Sequence, residues 1–420
     1  VSDDLQQLLA ALRRKIARIE RKHSVAAPLP SPPPCFDRER PARYFIEEWM
    51  SGEVVETPCG QHFETERLWE RHRRHGSMDI DALLELPPDL LGPLSSGEIT
   101  HSAPERWAFL DTETTGLAAG AGTYAFLVGI GRITPQGFRI RQFFMRDYGE
   151  EPSMLWALSK HLEQFEVLVS YNGKVYDQPL LETRYRLARR PSPFERIRHL
   201  DLMYGARRLW KLRMESCRLV DLEAQILGFE REGDLPGEMI PYVYFEYLRS
   251  RQALRVAPIF HHNAMDILTL ACLTGIVPFA YRAPEQMRFS HGADLLGLAR
   301  WVLKTGDQER ALRLMRRALE LGLPDDLLFR TLWDVATLEK RRRKTAEALA
   351  VLEELASCRN PYRVAALVEL AKHYEHAERD YARALACAER ACELEPTPEL
   401  ERRRQRLARR LAAATGPRLL

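Results

Sequence analysis

Residues 107–110, Trp-Ala-Phe-Leu, form an unbroken apolar run. That is the pattern of a strand buried on both faces, not of one alternating between core and solvent. Two further runs, Tyr124–Ile130 and Phe138–Met145, flank the turn signal Pro135-Gln136-Gly137 and predict two more strands in a hairpin. A helix is predicted over about 153–165, followed by a buried strand over Val167–Tyr171. Three strands on short turns, then alternating helix and strand, predict an α/β domain over 105–284, a mixed sheet flanked by helices.

The ends of the chain read differently. Leu5, Leu8, Leu9, Leu12, Ile16 and Ile19 recur at helical spacing, so residues 1–25 are expected to hold an amphipathic helix capped by Ser2. A Pro-rich linker over 26–35 follows. Residues 36–104 are of mixed character and read as an irregular N-terminal extension wrapped on the next domain, with loops at Leu86-Pro87-Pro88 and Gly92-Pro93. Near the other end, Ala311-Leu312, Ala348-Leu349 and Ala384-Leu385 recur at intervals of 37 and 36 residues inside helical patterns. Small residues at that period predict stacked helical hairpins over 285–420, similar to tetratricopeptide repeats.

Composition is that of an ordinary soluble protein, 45% hydrophobic and 29% charged. The seven cysteines (Cys35, Cys59, Cys217, Cys272, Cys358, Cys387, Cys392) are scattered, with no C-x-x-C pair, which points to reduced thiols rather than a disulfide frame. Cys59-Gly60-Gln61-His62 has half of a zinc-ligand spacing, and a turn is the better reading. No uninterrupted apolar run approaches the ~18 residues of a membrane span. The first residues lack a secretory pattern, so no membrane association and a cytoplasmic location are expected.

The chemistry gathers at three places. Asp111 and Glu113 follow the first apolar run at spacing two, which puts both carboxylates on one face of a strand. Such a pair repels itself and is kept mainly where a cation neutralises it. Asp177 stands six residues after a strand, just before a helix that Pro179 can begin, and could simply cap that helix. His262 and Asp266 lie at i, i+4 on a predicted helix and share a face, with His261 adjacent. Histidine next to a metal-binding carboxylate is suited to proton abstraction from water. Between Arg184 and Arg213 there are ten Lys/Arg against Glu195 and Asp201, interleaved with Tyr185, Phe194, Tyr204 and Trp210. That composition suits phosphates and unpaired bases, or a solvated helix face.

Asp111-Thr-Glu113, Asn172-x-x-x-Tyr176-Asp177 and His262-x-x-x-Asp266, in this order, resemble the DEDD exonucleases of the ribonuclease H-like superfamily. Gly233-Asp234-Leu235-Pro236-Gly237, Ile240-Pro241-Tyr242 and the repeat-like tail narrow the resemblance to the MrfB/YprB group of bacterial exonucleases, linked to DNA repair beside a partner helicase. The resemblance implies a ribonuclease H-like fold and two Mg²⁺ or Mn²⁺ ions held by Asp111, Glu113, Asp177 and Asp266. Asp111 would bridge both ions, and Asp266 would hold the one on the nucleophile side. The implied activity is 3′→5′ hydrolysis of DNA from a single-stranded 3′ end, with a repair helicase docked on the C-terminal repeats. The base is His261 by the five-residue spacing of the superfamily's histidine branch, or His262 by the four-residue spacing. The His262-Asn263-x-x-Asp266 wording favours His262. An RNA 3′→5′ exonuclease and a non-catalytic adaptor on a nuclease-like fold are the alternatives.

Overall fold

The computed structural model describes residues 45–116 and 122–415. The expected N-terminal helix and Pro-rich linker fall outside these residues. Seven strands form one sheet: β1 (Glu53–Thr57), β2 (Gly60–Glu70), β3 (Trp107–Thr114), β4 (Ala125–Thr134), β5 (Gly137–Phe144), β6 (Val167–Ser170) and β7 (Arg198–Asp201). Their order is β1-β2-β5-β4-β3-β6-β7. The pairs from β1 through to β3 are antiparallel, and β3–β6 and β6–β7 are parallel. This is the mixed sheet expected from the sequence.

The apolar run of β3 is buried on both faces because each face carries its own core. Trp107 and Phe109 pack with Ile133, Phe138, Val169 and Ile267, while Ala108 and Leu110 pack with Phe126, Leu181 and Tyr185. The helices covering the sheet are α1 (Glu151–Leu162), α2 (Asp177–Leu187), α3 (Leu202–Trp210), α4 (Ile240–Ser250) and α5 (Ala257–Arg282). Strand β6 pairs with β3 only as far as Phe109, opposite Val169. Asp111 and Glu113 therefore lie on a part of β3 that extends past its parallel neighbour, on the face of Trp107 and Phe109 that α5 covers. In open α/β sheets such strand ends are where ligands are held.

Close approach of α5 depends on two glycines. Gly129 and Gly131 of β4 are the cross-strand partners of Asp111 and Phe109. A Cβ on Gly129 would come within 2.2 Å of Asn263 Oδ1 and 2.3 Å of Ile267 Cδ1, and one on Gly131 within 2.5 Å of Ile267 Cγ2.

One expectation is corrected. Residues 53–70, read as part of an irregular extension, form the β1–β2 hairpin that widens the sheet. Four consecutive residues of β2, His62 to Thr65, are buried, and three of them are polar, so no period-two apolar signal exists. They are satisfied internally: His62 contacts Ser153 Oγ at 2.9 Å and Glu64 Oε1 at 2.8 Å, and Arg141 Nε donates to Glu64 at 2.5 Å. His62 is thus a core residue, and Thr57–Gly60 is the turn of the hairpin.

Seven helices complete the described chain: α6 (Gly292–Lys304), α7 (Gln308–Leu321), α8 (Asp325–Arg341), α9 (Thr345–Ser357), α10 (Arg363–His373), α11 (Tyr381–Leu394) and α12 (Pro398–Thr415). The periodic alanines Ala311, Ala348 and Ala384 are all buried. Helices α6 and α7 share the apolar core of α5, whereas α9 to α12 form a separate core around Leu355, Leu367, Ala388 and Leu407. The stretch Ala253–Arg282 has the length and apolar composition of a membrane span, which amends the expectation drawn from uninterrupted runs. Most of it is buried inside this fold, as a core helix is.

Gly129→Ala is expected to destabilise the protein by about 1–3 kcal/mol through overpacking. Urea denaturation measures this, and unchanged stability would show that α5 can move away from β4 freely.

Candidate active site

The end of β3 brings the four sequence-identified carboxylates into one region of negative charge. Asp111 and Glu113 arrive on the strand, Asp266 on α5 beneath it, and Asp177 at the first residue of α2. Asp177 does not cap its helix. It accepts a hydrogen bond from Thr112 Oγ1, which lies on the opposite face of β3 from Asp111 and Glu113. Burial holds the Asp111 carboxyl well above the ordinary carboxylate range, and the charges of Asp266 and Asp177 add to the effect. Glu113 is raised in the same way by burial, then by Asp111, Asp266, Asp177 and Asp234. Burial pushes Asp177 from 3.8 up to about 6, against the opposing donation from Thr112.

Each aspartate is held through one oxygen. Asn263 Nδ2 donates to Asp111 Oδ2 at 2.8 Å, Thr112 donates to Asp177 Oδ1, and Arg231 Nη2 donates to Asp266 Oδ1 at 2.6 Å. The second oxygen of each takes no hydrogen bond from another described residue, and Glu113 takes none at all among them. Four hard-oxygen donors, two of which (Asp111 and Glu113) are raised by burial and then by their carboxylate neighbours, fit a divalent cation such as Mg²⁺ or Mn²⁺. Among the described residues, no three His, Cys, Asp or Glu side chains are gathered closely enough to hold an ion as they stand. Occupation would therefore have to draw the carboxylates inward from their present partners.

Two histidines adjacent in sequence have separate environments. His262 Nδ1 lies 2.9 and 3.0 Å from the two oxygens of Asp234, and its Nε2 lies 3.7 Å from Asp266 Oδ2. His261 is exposed on another side of α5, beside Arg67 and Phe260. Burial and the Arg67 charge lower its pKa. The structure brings His262, not His261, to the carboxylates.

Sequence reasoning missed the groups that hold these side chains. Asn263, fully buried, passes a relay inward: Gln142 Nε2 donates to its Oδ1 at 2.8 Å, and Thr65 donates to Gln142 at 3.1 Å. Arg231, 4% exposed, links Asp266 to Glu223 at 2.5 Å and to Asp234 at 3.2 Å. Glu223 also meets His75 at 3.0 Å. Signals existed: Gln142 is a polar residue in an otherwise apolar strand end, and Asp234 sits in the Gly233–Gly237 segment already singled out.

The aromatic part of the basic segment is corrected. Tyr185, Phe194 and Trp210 are core residues, and only Tyr204 is exposed. Arg184 is buried against Glu151. Their helical spacing served packing, which leaves Arg207, Arg208 and Lys211 exposed with Tyr204 as the remaining exposed ring of the segment and Arg208 5.0 Å over the ring of Trp301.

Comparison with known proteins agrees with this architecture. The RNase H superfamily model matches residues 108–277, a range that contains all four carboxylates and His262. The uncharacterized protein YprB of Bacillus subtilis (strain 168) is 32% identical over 289 residues, 67% of this chain and 68% of that protein. The chain thus carries a ribonuclease H superfamily domain followed by helices.

The raised pKa of Asp177 sets the sign of a stability effect. A carboxyl group that binds its proton more tightly in the native state stabilises the fold fully below about pH 4, and that contribution is lost as pH rises through about 6. In EDTA, Asp177→Asn is expected to be more stable than the parent at about pH 7.5, by about 1–3 kcal/mol. The gap should close near pH 4. Urea titrations at both pH values check this, and a gap independent of pH would contradict it.

Proposed function

The chain belongs to the family of Bacillus subtilis YprB, and from that membership and the site geometry we propose that it is a DEDD-type, divalent-metal-dependent 3′→5′ exonuclease acting on DNA in repair. The observation that carries this reading is the half-buried to buried set Asp111, Glu113, Asp177 and Asp266, each of whose aspartates has one oxygen that takes no hydrogen bond from another described residue. These four residues would hold two Mg²⁺ or Mn²⁺ ions. When bound, such ions supply charge neutralisation and Lewis acidity for displacement at phosphorus.

The protein's own groups do the positioning and the proton transfer. Asp234 accepts a hydrogen bond from the Nδ1–H of His262, which leaves Nε2 as the basic nitrogen on the Asp266 side. Nε2 takes a proton from the attacking water as the water oxygen bonds to phosphorus. The bond from phosphorus to the 3′ oxygen of the preceding sugar breaks, that oxygen takes up a proton from solvent to become the new 3′ hydroxyl, and a nucleoside 5′-monophosphate leaves. Asn263 fixes the rotamer of Asp111, so the carboxylate on the strand meets the substrate in one orientation. The helices after about residue 285 are read as tetratricopeptide-like repeats, and a repair helicase would dock there.

Labelled single-stranded DNA and RNA, marked at either end, incubated with Mg²⁺, Mn²⁺ or EDTA, test the proposal. Metal-dependent release of mononucleotides from the 3′ end of DNA is expected. Asp111→Ala should abolish it, His262→Ala should lower kcat by about 10²–10⁴-fold, and His261→Ala should change it little. EDTA-resistant digestion, or full activity of Asp111→Ala, would overturn the mechanism.

A further inference from the structure

Two grooves meet on one side of α3. The first, about 490 Å³, begins at Tyr171 and Asn172 and is lined on α3 and beyond by Arg207, Lys211 and Arg218. The second, about 160 Å³, shares Arg207 and Lys211 and continues to Arg208, Arg300 and Lys304, the last two on α6. Six cations thus line a continuous surface. Glu215 is the one acidic residue lining the first groove, and no acidic residue lines the second.

A solvated helix face is the ordinary explanation of clustered cations, and three observations separate this surface from one. First, the charges are poorly compensated. Arg207, Arg208 and Lys304 have no carboxylate partner among the described residues, and Lys211 donates only to the backbone oxygen of Glu215. Arg218 does pair with Asp221 at 2.8 Å. Second, Arg300 Nη2 is a buried donor without an acceptor among the described residues, and Arg300 feels the like charge of Arg330 with Asp334 as partial offset. Arg300 itself lines the second groove, so its guanidinium adds positive charge there with no carboxylate ion-paired to it among the described residues.

Third, the surface begins on the loop that leads to Asp177, and its two ends are held by close contacts. Tyr171 and Asn172 open the loop that ends at Asp177, and Asp201 fixes that loop by accepting from Asn172 N at 2.8 Å and Lys174 N at 3.2 Å. At the other end α6 is locked to α3, because a Cβ on Gly297 would come within 2.5 Å of Arg208 O and 2.6 Å of Leu209 O. The cations of the two helices therefore keep a fixed mutual spacing, as a polyanion track requires.

We infer that these grooves form one track for the phosphodiester backbone of a single strand, running from the Asp177 loop along α3 to α6. The first helix after the α/β domain is then part of the substrate path. This rests on the nuclease reading above and adds where the strand lies upstream of the cleaved end. Phosphate contacts of this kind hold the strand irrespective of base sequence.

The test is fluorescence anisotropy with the full chain in EDTA, using labelled DNA single strands of about 30 and about 4 nucleotides over a range of NaCl concentrations. Arg207→Glu/Lys211→Glu should weaken binding of the long strand by about 10-fold or more and reduce the salt slope by about 1.4, at about 0.7 per lost phosphate contact. Arg208→Gln/Lys304→Glu should weaken the long strand much more than the short one. Lys304→Glu alone, on an exposed side chain, repeats the length dependence where a double variant folds poorly. Wild-type affinity and salt slope in these variants would overturn the track. So would equal competition by polyglutamate of matched charge, since that would make the surface a site for acidic protein. Loss of long-strand binding in the variants without any metal-dependent hydrolysis by the parent would uphold the track and remove the nuclease reading.

Discussion

The mutual repulsion of Asp111, Glu113, Asp177 and Asp266 is the constraint around which this fold is arranged. Burial raises the carboxyl pKa values of Asp111, Glu113 and Asp177, and neighbouring carboxylates raise those of Asp111 and Glu113 further. A charge cluster of this kind opposes folding, and it is tolerated because the rest of the sheet is well packed. Strand β3 carries an apolar core on each face, and only its extension beyond β6 holds the acids. Stability and function are thus assigned to different lengths of one strand.

The groups that hold the cluster come from segments far apart in sequence. Thr65 on β2 and Gln142 on β5 support Asn263, which in turn holds Asp111. Glu223 anchors Arg231, which bridges Asp266 and Asp234, and Asp234 orients His262. The N-terminal hairpin is consequently more than an edge addition, because one end of the Asp111 relay sits on it. Gly129 gives the relay room, since any side chain there would occupy the position of the Asn263 oxygen.

Legibility of these features in the sequence followed their periodicity. Strand β3 and its two acids were readable because an apolar run and an i, i+2 pair are local patterns, and His262 with Asp266 because i, i+4 defines a helix face. Strand β2 was not readable: its buried stretch is mostly polar and satisfied by Ser153, Arg141 and Gln142 from elsewhere in the chain. Arg231, and the hold of Asn263 on Asp111, were hidden for the same reason, since the role of a buried polar residue is identified by its partner and not by its neighbours. The aromatics near α3 show the opposite failure. Tyr185, Phe194 and Trp210 alternate with arginines in sequence, but burial places them in the core.

The most direct test of the central claim is a crystal structure of the full chain with Mn²⁺, read by anomalous scattering. The account predicts two anomalous peaks among Asp111, Glu113, Asp177 and Asp266, with the Asp266 carboxylate shifted from its present contact with Arg231, and loss of both peaks in Asp111→Ala. Full Mn²⁺ occupancy elsewhere with no peak among these four residues would contradict it.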